Sequence, residues 1–246
     1  MEPQTDPVPG PATPAMLRVR RLGGRSYRDA WVLQERAAAD VAAGGADQLL
    51  FVSHPPVVTL GRGTTPDQLL APPAELAAAG IAVLTADRGG GATYHGPGQI
   101  VGYPLIDLRR RNLTVRGYLR ALEAALVVVL RGEGVAAFTR QGLTGAWTVA
   151  GKIAAIGISV RRGITRHGFA LNVETDLGGF ARILPCGLAE PVTSMRASGW
   201  RGSTAALTAG IVTALEASLR SAPATRWPEV RLPLPPAAAP GPRVPA

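Results

Sequence analysis

Extended and helical segments interleave along this chain, and two of the extended segments are joined by a turn too tight for a crossover. Residues 153–160 and 167–173 read as strands, with Arg161, Arg162 and Gly163 in the turn between them. A connection that short joins antiparallel strands, because parallel neighbours need a dozen or more residues to cross over. The sheet is therefore mixed. Helices placed between strands then predict an α/β or α+β fold, a mixed β-sheet flanked by helices.

The other segments fit this frame. Residues 17–21 alternate weakly and read as a strand. Residues 27–43 are alanine-rich, follow a Ser26 cap and stop at Gly44 and Gly45, which predicts a helix. Residues 49–53 and 57–60 are apolar strand-like runs separated by Pro55 and Pro56. Residues 66–79 read as a second helix, interrupted by Pro72 and Pro73 and stopped by Gly80. Strands are expected at 81–85, 99–108 and 147–149. A long helix over 115–131 has Thr114 as its cap, and 205–219 places Leu207, Ile211, Leu215 and Leu219 four apart on one helical face. Residues 1–15 read as a proline-rich disordered leader and 226–246 as a proline-rich tail, leaving one domain over 16–225.

Bulk composition narrows the function. The hydrophobic share of 46% supplies a globular core. A net charge of +9 would suit nucleic acid, but aromatics are only 5% and the arginines are scattered, so no nucleic-acid partner is expected. An acidic protein partner accounts for the charge more simply. One cysteine in the chain excludes an intrachain disulfide framework and a multi-cysteine metal site. The first residues lack the basic and apolar regions of a secretory signal, and no apolar run is long enough to span a bilayer. A cytoplasmic protein without membrane attachment is expected.

Three groups of residues can carry chemistry. The run Arg88-Gly89-Gly90-Gly91-Ala92-Thr93-Tyr94-His95 follows a strand, and its glycines allow a backbone to approach a ligand closely. It matches neither a dinucleotide-binding GxGxxG nor a P-loop. His54, His95 and His167 all lie in loops marked by glycine or proline; none has metal-ligand spacing, so no metal or other cofactor is expected. A Ser-His-Pro-Pro turn explains His54 structurally, while His95 and His167 are candidates to line a site. The third group is a pair: Lys152 is the single lysine among 26 basic residues, and Cys186 is the single cysteine. Lysine, unlike arginine, can give up its proton, and a nearby ammonium raises the thiolate share of a cysteine. Separation along the sequence leaves open whether the two meet.

These motifs in this order (Arg88 to Gln99, Lys152-Ile-Ala-Ala-Ile-Gly157, His167-Gly-Phe-Ala-Leu-Asn172, Pro185-Cys-Gly187) resemble the octanoyltransferases of lipoate biosynthesis, also called lipoate–protein ligase B. The resemblance extends over residues 17–220 and implies the catalytic fold of the biotin and lipoate protein ligases. It implies transfer of octanoyl (or lipoyl) from octanoyl-acyl carrier protein, through a thioester on Cys186, to a lysine ε-amine. The acceptors it implies are the lipoyl domains of 2-oxoacid dehydrogenase complexes and the glycine cleavage H protein. Lys152 would tune the thiol and shuttle protons. Acyl-binding positions carried over are Arg88, Gly89, Gly90, Gly91, Ala92, Thr93, Tyr94, His95, Ala155, Ile156, Gly157, Gly168, Phe169 and Ala170. The alternatives are an ATP-dependent lipoate- or biotin-type ligase, a non-catalytic acyl carrier protein-binding homologue, and a thioesterase pairing Cys186 with a histidine.

Overall fold

The computed structural model describes residues 16–185 and 190–223; Cys186 and the expected leader and tail lie outside them. Among the described residues, ten strands form two sheets. The larger is built from β1 (Arg18–Gly24), β2 (Gln48–Ser53), β6 (Gln99–Leu105), β7 (Phe138–Arg140), β8 (Leu143–Thr148), β9 (Gly151–Arg161) and β10 (Ile164–Asn172). Their order across the sheet is β1-β2-β6-β10-β9-β8-β7. The smaller sheet, in the order β4-β3-β5, contains β3 (Val57–Leu60), β4 (Ala82–Thr85) and β5 (Ala92–His95).

Each sheet contains one parallel pair, and each pair is bridged by a helix. The helix α1 (Tyr27–Ala42) links β1 to β2, and the short α2 (Pro73–Ala78) links β3 to β4. Every other pairing is antiparallel. The expected tight turn lies between β9 and β10, where Arg161 pairs with Ile164. Arg162 and Gly163 both take positive φ, 53° and 82°, as a two-residue hairpin of matching twist requires.

Both faces of the large sheet are covered. On one, α3 (Val115–Gly132) and α4 (Thr204–Ser221) bury a core that includes Leu49 and Phe51. On the other, α1 packs Ala30, Ala37 and Val41 against Leu50 and Val52. Period-2 alternation along β2 thus serves two cores, which is why residues 49–52 are all apolar. Ser26 caps α1 by accepting from the Asp29 N–H at 3.1 Å, and Thr114 caps α3 by accepting from the Gly117 N–H at 2.8 Å.

The helix expected over 66–79 is instead a 3₁₀ turn, Pro66–Gln68, followed by α2 from Pro73. Consecutive prolines are the cause: Pro73 holds Pro72 out of the helical region, at φ −59° and ψ 150°. The run expected over 99–108 ends as strand at Leu105, and that over 147–149 belongs to the end of β8. Ala92–His95, read from sequence as part of a glycine-rich loop, pairs with β3 as a strand. No helix among the described residues is long and apolar enough to cross a membrane.

Candidate active site

A narrow cavity lies on the α1 face of the large sheet, beneath the smaller one. Its floor is made by Val101 and Tyr103 of β6, Ala155, Ile156 and Gly157 of β9, and Gly168, Phe169 and Ala170 of β10. Its roof is Arg88, Gly89 and Gly90 with Thr93 and His95 of β5. Tyr27, at the start of α1, and His167 stand at one end. A second narrow cavity shares Thr93, Ala155 and Ala170 with the first and adds Lys152, Gln99, Asn172, Phe180, Pro185 and Val192. The two adjoin through those three shared side chains.

The structure thus brings eleven of the expected acyl-site residues around one cavity. Gly91, Ala92 and Tyr94 are not among its lining. Alternation along β5 explains two of them: Thr93 and His95 face the cavity, while Ala92 and Tyr94 enter the core of the smaller sheet. There Tyr94 meets Phe180 edge-on at 5.4 Å. The Gly91 carbonyl accepts from the Arg88 guanidinium at 2.9 Å.

Arg88 is a clamp for the roof. Its guanidinium donates to the carbonyls of Thr59, Gly89 and Gly91 at 2.6, 3.1 and 2.9 Å, and to the Thr59 hydroxyl at 2.7 Å. The Gly89 N–H donates to the Ile158 carbonyl at 2.8 Å, which pins the roof to β9. Gly157 permits that approach: a Cβ there would lie 3.0 Å from both Arg88 Cδ and the Gly89 oxygen.

Neighbours fix each histidine as a neutral ring. His54 Nδ1–H donates to the Arg25 carbonyl and its Nε2 accepts from the Tyr103 hydroxyl, both at 2.8 Å. His95 Nδ1–H donates to Gln99 Oε1 at 2.7 Å. His167 Nε2–H donates to Asp87 at 2.7 Å, and its Nδ1 faces the Tyr27 hydroxyl at 3.4 Å. Burial pushes His95 down to about 3, and the nearby Arg88 guanidinium opposes its protonation further. Burial also holds His54 and His167 below the ordinary imidazole value, in the second case against the pull of Asp87. Burial would raise Asp87; the His167 hydrogen bond and the nearby Arg161 overcome it and hold the carboxyl below its usual range. His167 further adopts φ 57° inside a strand, a left-handed conformation costing about 1–2 kcal/mol. Its N–H is met by Gln34 Oε1 at 2.9 Å.

Lys152 occupies the opposite end, half-buried on β9. Its N–H donates to the Pro191 carbonyl at 2.8 Å, and its carbonyl accepts from the Thr193 N–H at 3.0 Å. The chain just beyond the cysteine-bearing segment is thereby tied to the lysine's own backbone. Before that segment, the Leu184 N–H donates to the Gln68 carbonyl at 2.8 Å, and Pro185 lines the cavity with Lys152. The ammonium stands 5.2 Å from the centre of the Trp147 ring, the residue paired with it across β8. Gly145 makes room for the lysine stem, since a Cβ there would meet Lys152 Cε at 2.8 Å.

A chain of side-chain amides joins the two ends. Gln99 Nε2 donates to Asn172 Oδ1 at 2.9 Å, and Asn172 Nδ2 donates to the Thr193 carbonyl at 3.1 Å, beside Lys152. Both residues close motifs visible in the sequence, Gly-Pro-Gly-Gln and Ala-Leu-Asn, yet sequence reasoning assigned neither a role. Tyr27, Tyr103 and Asp87 were also missed: nothing local distinguishes them, and only the packing of α1 and β6 against β10 gathers them. No cluster of three metal-ligating side chains occurs among the described residues.

Comparison with known proteins supplies an independent view of these residues. The family model for the lipoyl protein ligase A/B catalytic domain matches residues 26–215. An octanoyltransferase of Solibacter usitatus is 50% identical over 186 residues, 75% of this chain and 84% of the relative. One from Geobacter sulfurreducens is 44% identical over 219 residues, 87% of each chain. A bi-partite lipoate protein ligase from Thermoplasma acidophilum, solved in work on that ligase and its E2 lipoyl domain, superimposes with a TM-score of 0.62 at 19% identity. That superposition covers 83% of this chain and 84% of the other, and at such identity it is a likeness of fold.

Proposed function

This chain belongs to the lipoyl protein ligase A/B catalytic domain family, and from that premise we propose that it is an octanoyltransferase of protein lipoylation working through a Cys186 thioester. The observation that carries the proposal is the pair of adjoining cavities. One holds Lys152 beside Pro185, the neighbour of Cys186 in sequence; the other runs from it as a narrow slot floored by Ala155, Gly157, Gly168 and Ala170. Each methylene of a straight acyl chain buried in such a slot contributes about 0.8 kcal/mol.

The reaction proceeds in two balanced steps. The Cys186 sulfur attacks the carbonyl carbon of an octanoyl thioester on acyl carrier protein, the carrier thiol leaves with the cysteine's proton, and an acyl-enzyme forms. A lysine amine of the acceptor then attacks that carbonyl, the amide forms, and the Cys186 thiol is regenerated. Lys152 acts in both steps: as ammonium it favours the thiolate, and as amine it takes the proton released by the attacking nucleophile. Exchange of one thioester for another is nearly isoenergetic and transfer to an amine is downhill, so the covalent step divides the work at little cost. Lipoyl domains are the acceptors, those of 2-oxoacid dehydrogenase complexes and the glycine cleavage H protein among them. Acidic carriers suit an enzyme of net charge +9 through steered encounter.

Incubation with octanoyl-acyl carrier protein in the absence of ATP, followed by intact mass, tests this. The expected result is a gain of one octanoyl group, absent in Cys186→Ala, that passes to an added lipoyl domain. Acylation of the acceptor only from free octanoate plus ATP would instead identify a ligase.

A further inference from the structure

One side chain at the Tyr27–His167 end of the cavity also borders the outside. Tyr27 lines the acyl cavity, and it also lines an apolar groove formed between the start of α1 and the outer side of the smaller sheet. It is the one residue common to the two linings. Beyond it the groove is walled by Pro55, Pro56, Val57, Ile81, Val83 and Leu84. The ring itself is 3% exposed and packed with Trp31, Val57 and Leu84.

We propose that Tyr27 is the length gauge of this enzyme, the partition that limits the acyl chain to medium length by separating the slot from the groove behind it. This rests on the reading that the slot receives the acyl chain. Direction follows from the layout: the carbonyl end lies with Lys152, and the slot runs through Thr93, Ala155 and Ala170 to Tyr27. A longer chain meets the phenol ring instead of open space.

The partition is stiff. The Tyr27 hydroxyl faces His167 Nδ1 at 3.4 Å, and its ring lies near-parallel to His95 with centres 6.0 Å apart. His167 is in turn held by Asp87 at 2.7 Å and by Gln34 at 2.9 Å. A close-packed wall anchored on both sides does not yield to extra methylenes without strain. Removing the ring joins two apolar volumes, and the groove walls then supply contact for the added carbons.

The test compares octanoyl- and dodecanoyl-loaded carriers as donors, together with calorimetric binding of free octanoate and dodecanoate. Wild-type protein is expected to prefer the eight-carbon chain by roughly tenfold or more in both readouts. Tyr27→Ala should erase or invert that ratio, Tyr27→Val should reduce it, and Tyr27→Phe, which keeps the bulk, should retain it. A folded Tyr27→Ala or Tyr27→Val protein with the wild-type ratio overturns the proposal, as does wild-type protein that binds dodecanoate as tightly as octanoate. If neither carrier acylates the wild type while the fatty-acid ratio shifts as stated, the gauge stands and the transferase reading falls.

Discussion

The two ends of the candidate cavity are built in opposite ways. At the Tyr27 end, Tyr27, Tyr103 and the three histidines are gathered from five separate stretches of chain, and the histidine tautomers are fixed by hydrogen bonds to Arg25, Gln99 and Asp87. At the reactive end, Lys152 is anchored through its own backbone, while its ammonium has an aromatic face beside it. The first arrangement makes a rigid wall of neutral groups. The second holds a half-buried ammonium against the Trp147 ring. Changes at the Tyr27 end should therefore register as stability and selectivity, and changes at the reactive end as rate.

The sharpest way to break that contrast is Lys152→Arg. It preserves charge and leaves the fold intact, yet arginine does not release a proton near neutrality. Transfer to a lipoyl domain should fall by about 10²–10⁴-fold, with an unchanged melting temperature. Near-wild-type turnover would reduce the lysine to a fixed charge. Arg88→Leu should do the reverse. Removing a buried guanidinium that donates to three carbonyls strands those acceptors, and stability should drop by about 3 kcal/mol or more in urea unfolding. Unaltered stability would mean the roof needs no clamp.

Acid should act on the Tyr27 end first. His95 is pushed down to about 3, and His54 and His167 are lowered as well, against an unfolded value near 6.5. The unfolded chain thus binds protons that the folded chain refuses, so stability is complete above about pH 6.5 and declines as pH falls toward the folded values. Each histidine contributes a slope of about 1.4 kcal/mol per pH unit within its window. Melting temperature should decline steadily from pH 7 to pH 4.5; a flat profile would show that these rings are not held neutral.

How much of this was legible beforehand follows the same division. Most of the large sheet's strands and the long helices announce themselves through local patterns: a Ser26 cap, a Thr114 cap, and a turn at Arg162–Gly163 with the chemistry of a hairpin. In the smaller sheet β3 and β4 were legible as apolar runs, but β5 was not, because it is four residues drawn from a glycine-rich run and is a strand only by pairing with β3. Within the site, glycines and alanines that let backbones approach were readable, as were Lys152 and His95. That Tyr94 turns from the cavity into the smaller sheet's core was not readable, because a loop has no alternation, whereas a strand sends successive side chains to opposite faces. Tyr27 and Asp87 become meaningful only through contacts more than seventy residues apart in sequence, His167 to Asp87 and His167 to Tyr27.

The smallest expected effect bears on how the reactive end sets its protonation. Trp147 lies on β8 between cations from both neighbouring strands: Arg140 on β7, 4.7 Å from the ring centre, and Lys152 on β9, 5.2 Å away. Its indole N–H donates to the Leu143 carbonyl at 3.2 Å, which fixes the plane of the ring. Arg140 also pairs with Glu190 at 3.0 Å, where the described chain resumes after the cysteine segment. A ring face beside an ammonium stabilises the charged form, so Trp147 favours ammonium with thiolate over neutral amine with thiol. Because Cys186 is the single cysteine, the pH dependence of alkylation by iodoacetamide reports this equilibrium without interference. Trp147→Leu should raise the thiol's apparent pKa by about half to one and a half units, with Trp147→Phe recovering part of the shift. An alkylation profile unmoved by loss of the ring would mean that Trp147 is core packing alone, and that the lysine's charge is set by the cysteine segment and the solvent.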